Sequence, residues 1–384
     1  MSEKFLMKYD ELATTLVNEI PEEEFKSKTS TFFDPSMGSG QVVVKIEQKL
    51  KEYGHSESNI SKRVFGFEIG KWEVTVARRK HNLLGDYKYE GNVFDMKKVF
   101  DNVITNPPYV GKAQLHQKFF NKSVNEWCKP NGNVVFIQPA TPYQNQKKPR
   151  QHEAEMVENV LNHKTDVKIL DANIFKGADI GNDLAITVLH KVKDTSGKLN
   201  SITYKNGNKY ENVDLNNVSM TQINPDIFST IKSKYENYIT NNGSLQDKTY
   251  YKLNNPKNNI AGLPKIRGHM GQSDMYTFQP SDITNTQYYT TNISEKHDFG
   301  IEVENNKQIK NVYSYLMTHV SRFGLSILKN NPNNHMGEFG KVPLIDFNKK
   351  WTDEMLIKEL GLTQKEFKII VKTLGDYHGQ LATN

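Results

Sequence analysis

The 384 residues are enough to bury a substantial core in two or three domains. With 36% hydrophobic and 10% aromatic residues, the chain is polar without having the composition of a disordered one. A single cysteine, Cys128, excludes an internal disulfide framework and any zinc cluster built on thiolates, and no metal site is expected. The formal charge is +6, no stretch approaches the ~20 apolar residues of a membrane span, and the N-terminus MSEKFLMKYDEL lacks the form of a signal peptide. A cytoplasmic chain away from membranes is expected.

In chain order, FFDPSMGSG reads as a short apolar strand running into a Gly-rich turn. QVVVKIEQKLKEYG follows as an amphipathic helix, with Val42, Val43, Ile46 and Leu50 near helical spacing and Gly54 closing it. RVFGFEIG is the next strand and KWEVTVARRKHNLLG the next helix. YKYEGNVFDM and FDNVITNPPY are two further strand-plus-loop units. LHQKFFNKSVNEWCKPNG predicts a helix stopped by Pro130 and Gly132, NVVFIQPA a strand, EAEMVENVLNH a helix, and DVKILDANIF and DLAITVLHKVK the last two strands. This alternation predicts an α/β fold with a doubly wound, mostly parallel sheet over residues 1–194.

Beyond residue 194 the chain becomes rich in Asn, Tyr and Thr. KIRGHM, MYTFQP, TQYYTT and FGIEVE are strand candidates, and QIKNVYSYLMTHVSRFGLSILKN is one long helix. A second, α+β domain is expected over 195–348. A short helical tail follows over 349–384, two helices around Gly361, the second opened by a Thr363–Glu366 capping box.

Four places at the carboxyl edge of the predicted sheet carry chemistry. Gly38 and Gly40 can adopt positive φ and let backbone approach a ligand, with the next helix presenting free N–H groups to the same spot. The turn is neither a GxGxxG fingerprint nor a Walker loop, and two glycines between a strand and a helix are by themselves more often a plain turn. Glu68 ends the second strand, where an acid can accept ribose hydroxyls. Asp95, preceded by Phe94, ends the third, and the fourth ends in NPPY. Each acid alone is more readily a helix cap or a solvated loop residue, so the weight lies in all four falling at one edge. From Tyr109 to Arg150 seven Lys/Arg face one acid, Glu126, a local +6 that suits a polyanionic partner or a solvated Lys-rich face.

DPSMGSG followed by NPPY resembles the S-adenosylmethionine-dependent DNA adenine-N6 methyltransferases of restriction-modification type: cofactor motif first, catalytic motif second, target recognition domain last. The resemblance covers about Thr31 to Leu189 well and extends weakly into VPLIDFNKKWTDEMLIKELGLTQKEF. It implies a Rossmann-like methyltransferase domain, with residues 195–348 reading DNA. It implies that the Asp34–Pro35–Gly38–Gly40 turn holds the methionine part of S-adenosylmethionine. Glu68 would bind the ribose, Ile69 would pack on the adenine with Phe94 nearby, Asp95 would take the adenine amino group, and Asn106 would border the cofactor. A Thr-Pro often found near the start of the family is missing, which leaves cofactor contacts from the N-terminus open. Double-stranded DNA is the implied partner, a separate restriction endonuclease is allowed, and a monomer is expected. With the first motif so near residue 1, no nuclease segment is expected ahead of it.

The NPPY tetrapeptide has a chemical rationale. The adenine amino group is a poor nucleophile because its lone pair is delocalised into the ring. The Asn106 amide oxygen and the Pro107 carbonyl can accept from its two N–H bonds and turn that lone pair toward a methyl donor. The consecutive prolines fix the carbonyl direction and offer no N–H nearby. Tyr109 offers a stacking face, and the resemblance adds Phe175 as a second plate against a flipped base; Phe175 is equally readable as an ordinary core aromatic. Rival readings are methylation of RNA guanine N2 or of a protein glutamine, and a non-catalytic nucleic-acid binder on the same scaffold. In the second domain Lys265, Arg267, His269 and Arg322 are candidates for phosphate or base-edge contacts.

Overall fold

The computed structural model describes residues 3–108, 115–144, 151–170, 183–219, 221–251, 265–268, 299–328 and 336–374. The chain forms α1 (Glu3–Asn18), α2 (Glu22–Lys26), β1 (Phe32–Asp34), α3 (Gln41–Glu52), α4 (Glu57–Ile60), β2 (Val64–Phe67), α5 (Lys71–His81) and β3 (Asp86–Lys88). It continues through β4 (Phe100–Thr105), α6 (Leu115–Lys122), β5 (Cys128–Pro139), α7 (Thr141–Gln144), α8 (Gln151–Leu161), β6 (His163–Leu170), β7 (Leu184–Lys193), β8 (Leu199–Thr203) and β9 (Lys209–Val213). Among the described residues these nine strands form one sheet in the order β3-β2-β1-β4-β5-β7-β6-β8-β9. From β3 to β5 every neighbour is parallel, and β7 runs antiparallel between β5 and β6.

Alternation along the strands explains why both faces of this sheet are covered. Phe32 and Phe33 are adjacent in β1 and fully buried, so they face opposite sides. Phe32 stacks on Phe25 at 5.0 Å and joins the core under α1 and α3. Phe33 stacks on Phe100 at 4.4 Å and meets the edge of Trp127 at 5.6 Å. In β5, Val135 and Ile137 join the α1–α3 side, while Phe136 packs edge-on against Phe120 of α6. A strand buried on both faces reads as a continuous apolar run, as the Val134–Ile137 stretch of β5 does here.

Compact packing divides the chain into Met1–Pro142 with Lys148–Leu215, and Tyr143–Lys147 with Asn216–Asn384. The sequence reading places its first boundary after residue 194. The reason for the difference is that β8 pairs with β6 and β9 with β8, carrying the first sheet across the polar stretch DTSGKLNSITYKNGNKYEN. The helix predicted over Leu115–Lys129 ends at Trp127, its last turn a π-helix. β5 already begins at Cys128, whose residue position pairs with Phe100.

The second unit holds α9 (Pro225–Asn242), β10 (Thr249–Tyr251), β11 (Lys265–Gly268), β12 (Phe299–Glu302), α10 (Asn306–Leu316), α11 (His319–Leu328), α12 (Asp353–Leu360) and α13 (Gln364–Leu374). Among the described residues β10, β12 and β11 form an antiparallel sheet. MYTFQP and TQYYTT lie outside the described residues. The single long helix expected over 308–330 is two helices. Thr318 caps the second by accepting from the Ser321 N–H, while Asp353 accepts the His319 and Val320 N–H groups. Residues 351–374, read as a tail, contribute Trp351, Leu356, Leu360 and Ile370 to this unit's core. The Thr363–Glu366 capping box is present in both directions, Glu366 N–H to Thr363 Oγ1 at 3.2 Å and Thr363 N–H to the Glu366 carboxylate at 2.6 Å. Among the described residues no helix is long and apolar enough to cross a membrane.

Candidate active site

Three parallel strands deliver their following loops to one cavity. β1 leads into Pro35–Gly40, β2 into Glu68–Gly70, and β4 into Asn106–Pro108. Residues from all three, with the wall of α1 and the turn at residues 91–94, line a cavity of about 780 Å³. This is the carboxyl edge of the sheet, where doubly wound folds bind ligands.

The Gly-rich turn is built by backbone conformation. Gly38 (φ +53) and Gly40 (φ +87) both lie in the left-handed region. Gly40 is the residue preceding α3, and the Gly40 N–H closes the turn on the Met37 carbonyl at 2.8 Å. A Cβ on Gly40 would meet the Ala77 Cβ of α5 at 3.1 Å. A Cβ on Gly38 would meet no protein atom within 4 Å, in a residue that lines the cavity. One glycine therefore admits a neighbouring helix, and the other keeps space open. Gly40→Ala is expected to lower stability by about 1–2 kcal/mol from the left-handed backbone alone, read as a lower urea midpoint.

Glu68 ties two of the loops together. One carboxylate oxygen accepts the Gly38 N–H at 2.9 Å and the other accepts the Gly70 N–H at 3.3 Å. A carboxylate has about four lone-pair sites, so both oxygens keep capacity for ribose hydroxyls. The Met37 N–H also bonds the Phe67 carbonyl, at 2.9 Å, fixing the Gly-rich turn to the end of β2.

Asp34 is the buried charge of the site, 1% exposed. Its Oδ1 accepts from the Ser36 N–H at 3.0 Å and from the Thr105 hydroxyl at 2.7 Å. Burial pushes its carboxyl up to about 7; the bonds from Thr105 and Ser36 oppose the rise, and the charge of Glu68 adds to it. A folded-state value above the unfolded 3.8 means that the native state holds this proton longer. Its contribution to stability is therefore full below about pH 4 and is lost as pH rises to about 7. Asp34→Asn is expected to remove this decline, leaving the variant more stable than the parent at pH 8 by about 1–4 kcal/mol but no more stable at pH 4. Urea titrations at the two pH values check this, and parallel curves for the two proteins would contradict it.

The other expected residues distribute as follows. Pro35, Gly38, Ile69, Phe94, Asn106 and Pro107 line the same cavity as Asp34 and Glu68. Ile69 is 83% exposed. Asp95 does not end a strand. β3 stops at Lys88, and Asp95 closes a 3-10 turn with its side chain in solvent, while Asn92 of the same loop lines the cavity. Tyr109 and Phe175 lie outside the described residues.

Sequence reasoning missed Leu12, Ala13 and Leu16 of α1, which form an apolar wall, and Glu73 in the first turn of α5. The wall carries no motif; the only signal for it is the apolar spacing of α1. Of the basic stretch, Lys122 is paired with Glu126, and Lys129 with Asp101 at 2.9 Å. Arg322, a candidate DNA contact, is 1% exposed and donates to the Leu374 carbonyl, so it cannot reach a phosphate. Lys265, Arg267 and His269 have no described side chains. Among the described residues no group of three His, Cys, Asp or Glu could hold a metal ion.

Residues 43–175 match the model of the family described as Eco57I restriction-modification methylase. The match covers that segment and not the rest of the chain. Among solved structures, the M protein of the type I restriction enzyme EcoKI is similar at 14% identity and a TM-score of 0.38, covering 50% of this chain and 47% of that one. A type I methyltransferase subunit from Streptococcus thermophilus matches at 15% identity and 0.37, covering 59% and 52%. The type IIG restriction endonuclease BpuSI matches at 10% identity and 0.44, covering 95% and 65%. The chain thus spans about half the length of the type I proteins it matches, and likenesses this distant say nothing of substrate. No curated protein matches the sequence.

The sheet is doubly wound and mostly parallel, and the family matched by residues 43–175 implies S-adenosylmethionine as cofactor. The cavity described above fits such a molecule. Two carboxylates, Asp34 and Glu68, suit a ligand carrying ammonium and sulfonium charge together with ribose hydroxyls. Phe67, Ile69 and Phe94 suit an aromatic base, and Gly38 leaves the open cradle.

Proposed function

We propose that this chain transfers a methyl group to the exocyclic N6 of an adenine flipped out of double-stranded DNA at a specific sequence. The observation that carries the reading is that Asn106 and Pro107 line the same cavity as Asp34, Gly38 and Glu68. A base-binding loop and a cofactor turn sharing one cavity is what in-line transfer requires. When bound, S-adenosylmethionine supplies the methyl group on an electrophilic sulfonium.

The chain's own residues do the rest. Asp34 and the turn Pro35–Gly40 bind the amino-acid end of the cofactor, and Glu68 accepts its ribose hydroxyls. Ile69 and Phe94 flank its adenine, with Asp95 or the neighbouring Asn92 at the amino group. Asn106 Oδ1 and the Pro107 carbonyl accept from the target amino group and orient its lone pair; both acceptors are neutral, so this step does not depend on a titrating base. Tyr109 and Phe175 clamp the flipped ring, offsetting an extrusion cost of a few kcal/mol. The second unit reads the sequence, DNA is the partner, a separate endonuclease is allowed as a companion, and a monomer in the cytoplasm is the expected form.

The test is incubation with labelled S-adenosylmethionine and duplex DNA of random sequence, followed by digestion to nucleosides. Label in N6-methyldeoxyadenosine is the expected result. Label on a cytosine, on RNA or on protein would move the activity to another acceptor, and cofactor binding without transfer would favour the non-catalytic scaffold.

A further inference from the structure

Two hydroxyls connect the buried acid of the cofactor turn to the backbone of the catalytic loop. Thr105, the last residue of β4, donates its hydroxyl to Asp34 Oδ1 at 2.7 Å. Its Oγ1 also lies 2.7 Å from the Ser36 Oγ, and the Ser36 Oγ lies 3.4 Å from the Asn106 carbonyl oxygen. Counting protons assigns the directions. A threonine hydroxyl has one hydrogen, and an ionised Asp34 can only accept. Thr105 spends its hydrogen on Asp34, so Ser36 is the donor in the Ser36–Thr105 contact. The Asn106 carbonyl then receives only the weaker share of the same Ser36 hydrogen.

The chain of contacts therefore runs from Asp34, through Thr105 and Ser36, to the peptide that carries Asn106. Both bonds that Asp34 accepts among the described residues fall on Oδ1, so Oδ2 remains for the cavity that Asp34 lines.

We propose that Ser36 and Thr105 are positioning residues that transmit the state of Asp34, on the cofactor side, to the backbone of Asn106, on the base side. The proposal rests on the methyl-transfer reading above and adds to it a physical link between the two halves of the site. Neither hydroxyl has a part in the transfer itself under this proposal. Thr105 is fully buried, and its hydroxyl serves no helix cap or turn of its own. A valine would fill the same volume, so the hydroxyl is there for its hydrogen bonds. The charged group that faces Asp34 from the adjoining strand end is Glu68, whose own oxygens are engaged by Gly38 and Gly70.

Two readouts test the link in Thr105→Val, Ser36→Ala and the conservative Thr105→Ser. The first is kinetic, at saturating S-adenosylmethionine with duplex DNA. Thr105→Val is expected to lower kcat by roughly tenfold or more, the scale of one lost orienting hydrogen bond, with cofactor Kd within about threefold. Thr105→Ser is expected to restore kcat to within about threefold of the parent.

The second needs no activity: in the cofactor-free protein the Asn106 carbonyl 13C shift is expected to titrate with the Asp34 carboxyl in the parent and to lose that titration in Thr105→Val and Ser36→Ala. A parent-like kcat in Thr105→Val would overturn the proposal. So would a joint loss of Kd and kcat that serine does not rescue, or an Asn106 shift indifferent to Asp34. If the parent itself transfers no methyl to DNA, the functional reading fails, and the 13C titration still decides the link.

Discussion

Asn106→Ala should lower methyl transfer to DNA by about 10²–10³-fold, the usual loss when one preorganised polar contact to the reacting group is removed, while leaving cofactor affinity within about threefold. The separation follows from the position of the residue. Asn106 leaves the end of β4 and lines the cavity. The contacts that shape the cofactor turn, Gly38 to Glu68 and Met37 to Phe67, do not involve its side chain, and the Asn106 carbonyl that meets the Ser36 hydroxyl is kept by alanine. Alanine removes one acceptor for the target amino group and leaves the Pro107 carbonyl with its direction still fixed by the two prolines. Single-turnover transfer and cofactor calorimetry on the same preparation check both halves. Undiminished transfer would remove the orienting role from Asn106, and a large loss of cofactor affinity would make it a cofactor ligand first.

Glu68→Ala should weaken S-adenosylmethionine binding by about 1–3 kcal/mol, the cost of losing hydrogen bonds to a charged acceptor. The structure gives this substitution two consequences. Ribose acceptors are lost, and the N–H groups of Gly38 and Gly70 lose the carboxylate that holds their loops together. Glu68→Gln separates the two, since the amide oxygen can keep one loop bond while its NH2 faces the other donor. An intermediate loss is therefore expected for glutamine. Equal affinity of parent and alanine variant in calorimetry would place the ribose elsewhere in the cavity, with Glu73 the next acid along its wall.

The strand–turn–helix from Phe32 to Glu52, the acid after β2 and the NPP loop after β4 were legible because each is written locally: an apolar run, a residue type at its end, and glycines where φ must be positive. What was not legible depends on partners far along the chain. α9 carries Thr, Asn and Tyr, poor helix formers, yet Phe228, Ile231 and Tyr235 share one buried face that only the tertiary core rewards. The break between α10 and α11 is set by Asp353, 34 residues beyond His319. β8 and β9 look like turn-rich linker until β6 is available to pair with β8. Asp95 lies in a 3-10 turn and not at a strand end, and Asn92 of the same loop lines the cavity, a placement no local pattern announces. The charge of the stretch and its one local acid, Glu126, were legible, but not the pairing of Lys129 with Asp101, which comes from another strand.

The two borders of the large sheet bear on how the first unit behaves in a crowded solution. On one side lies β3, three residues long, with Asp86 and Lys88 pointing outward; on the other lies β9, whose Lys209 and Glu211 are exposed. A brief border strand studded with charges of both signs is a poor template for an incoming strand from another molecule. By the same physics that lets nine strands share one sheet, a tenth donated by a stranger finds little to hold, so fibrillar self-association through these borders is disfavoured.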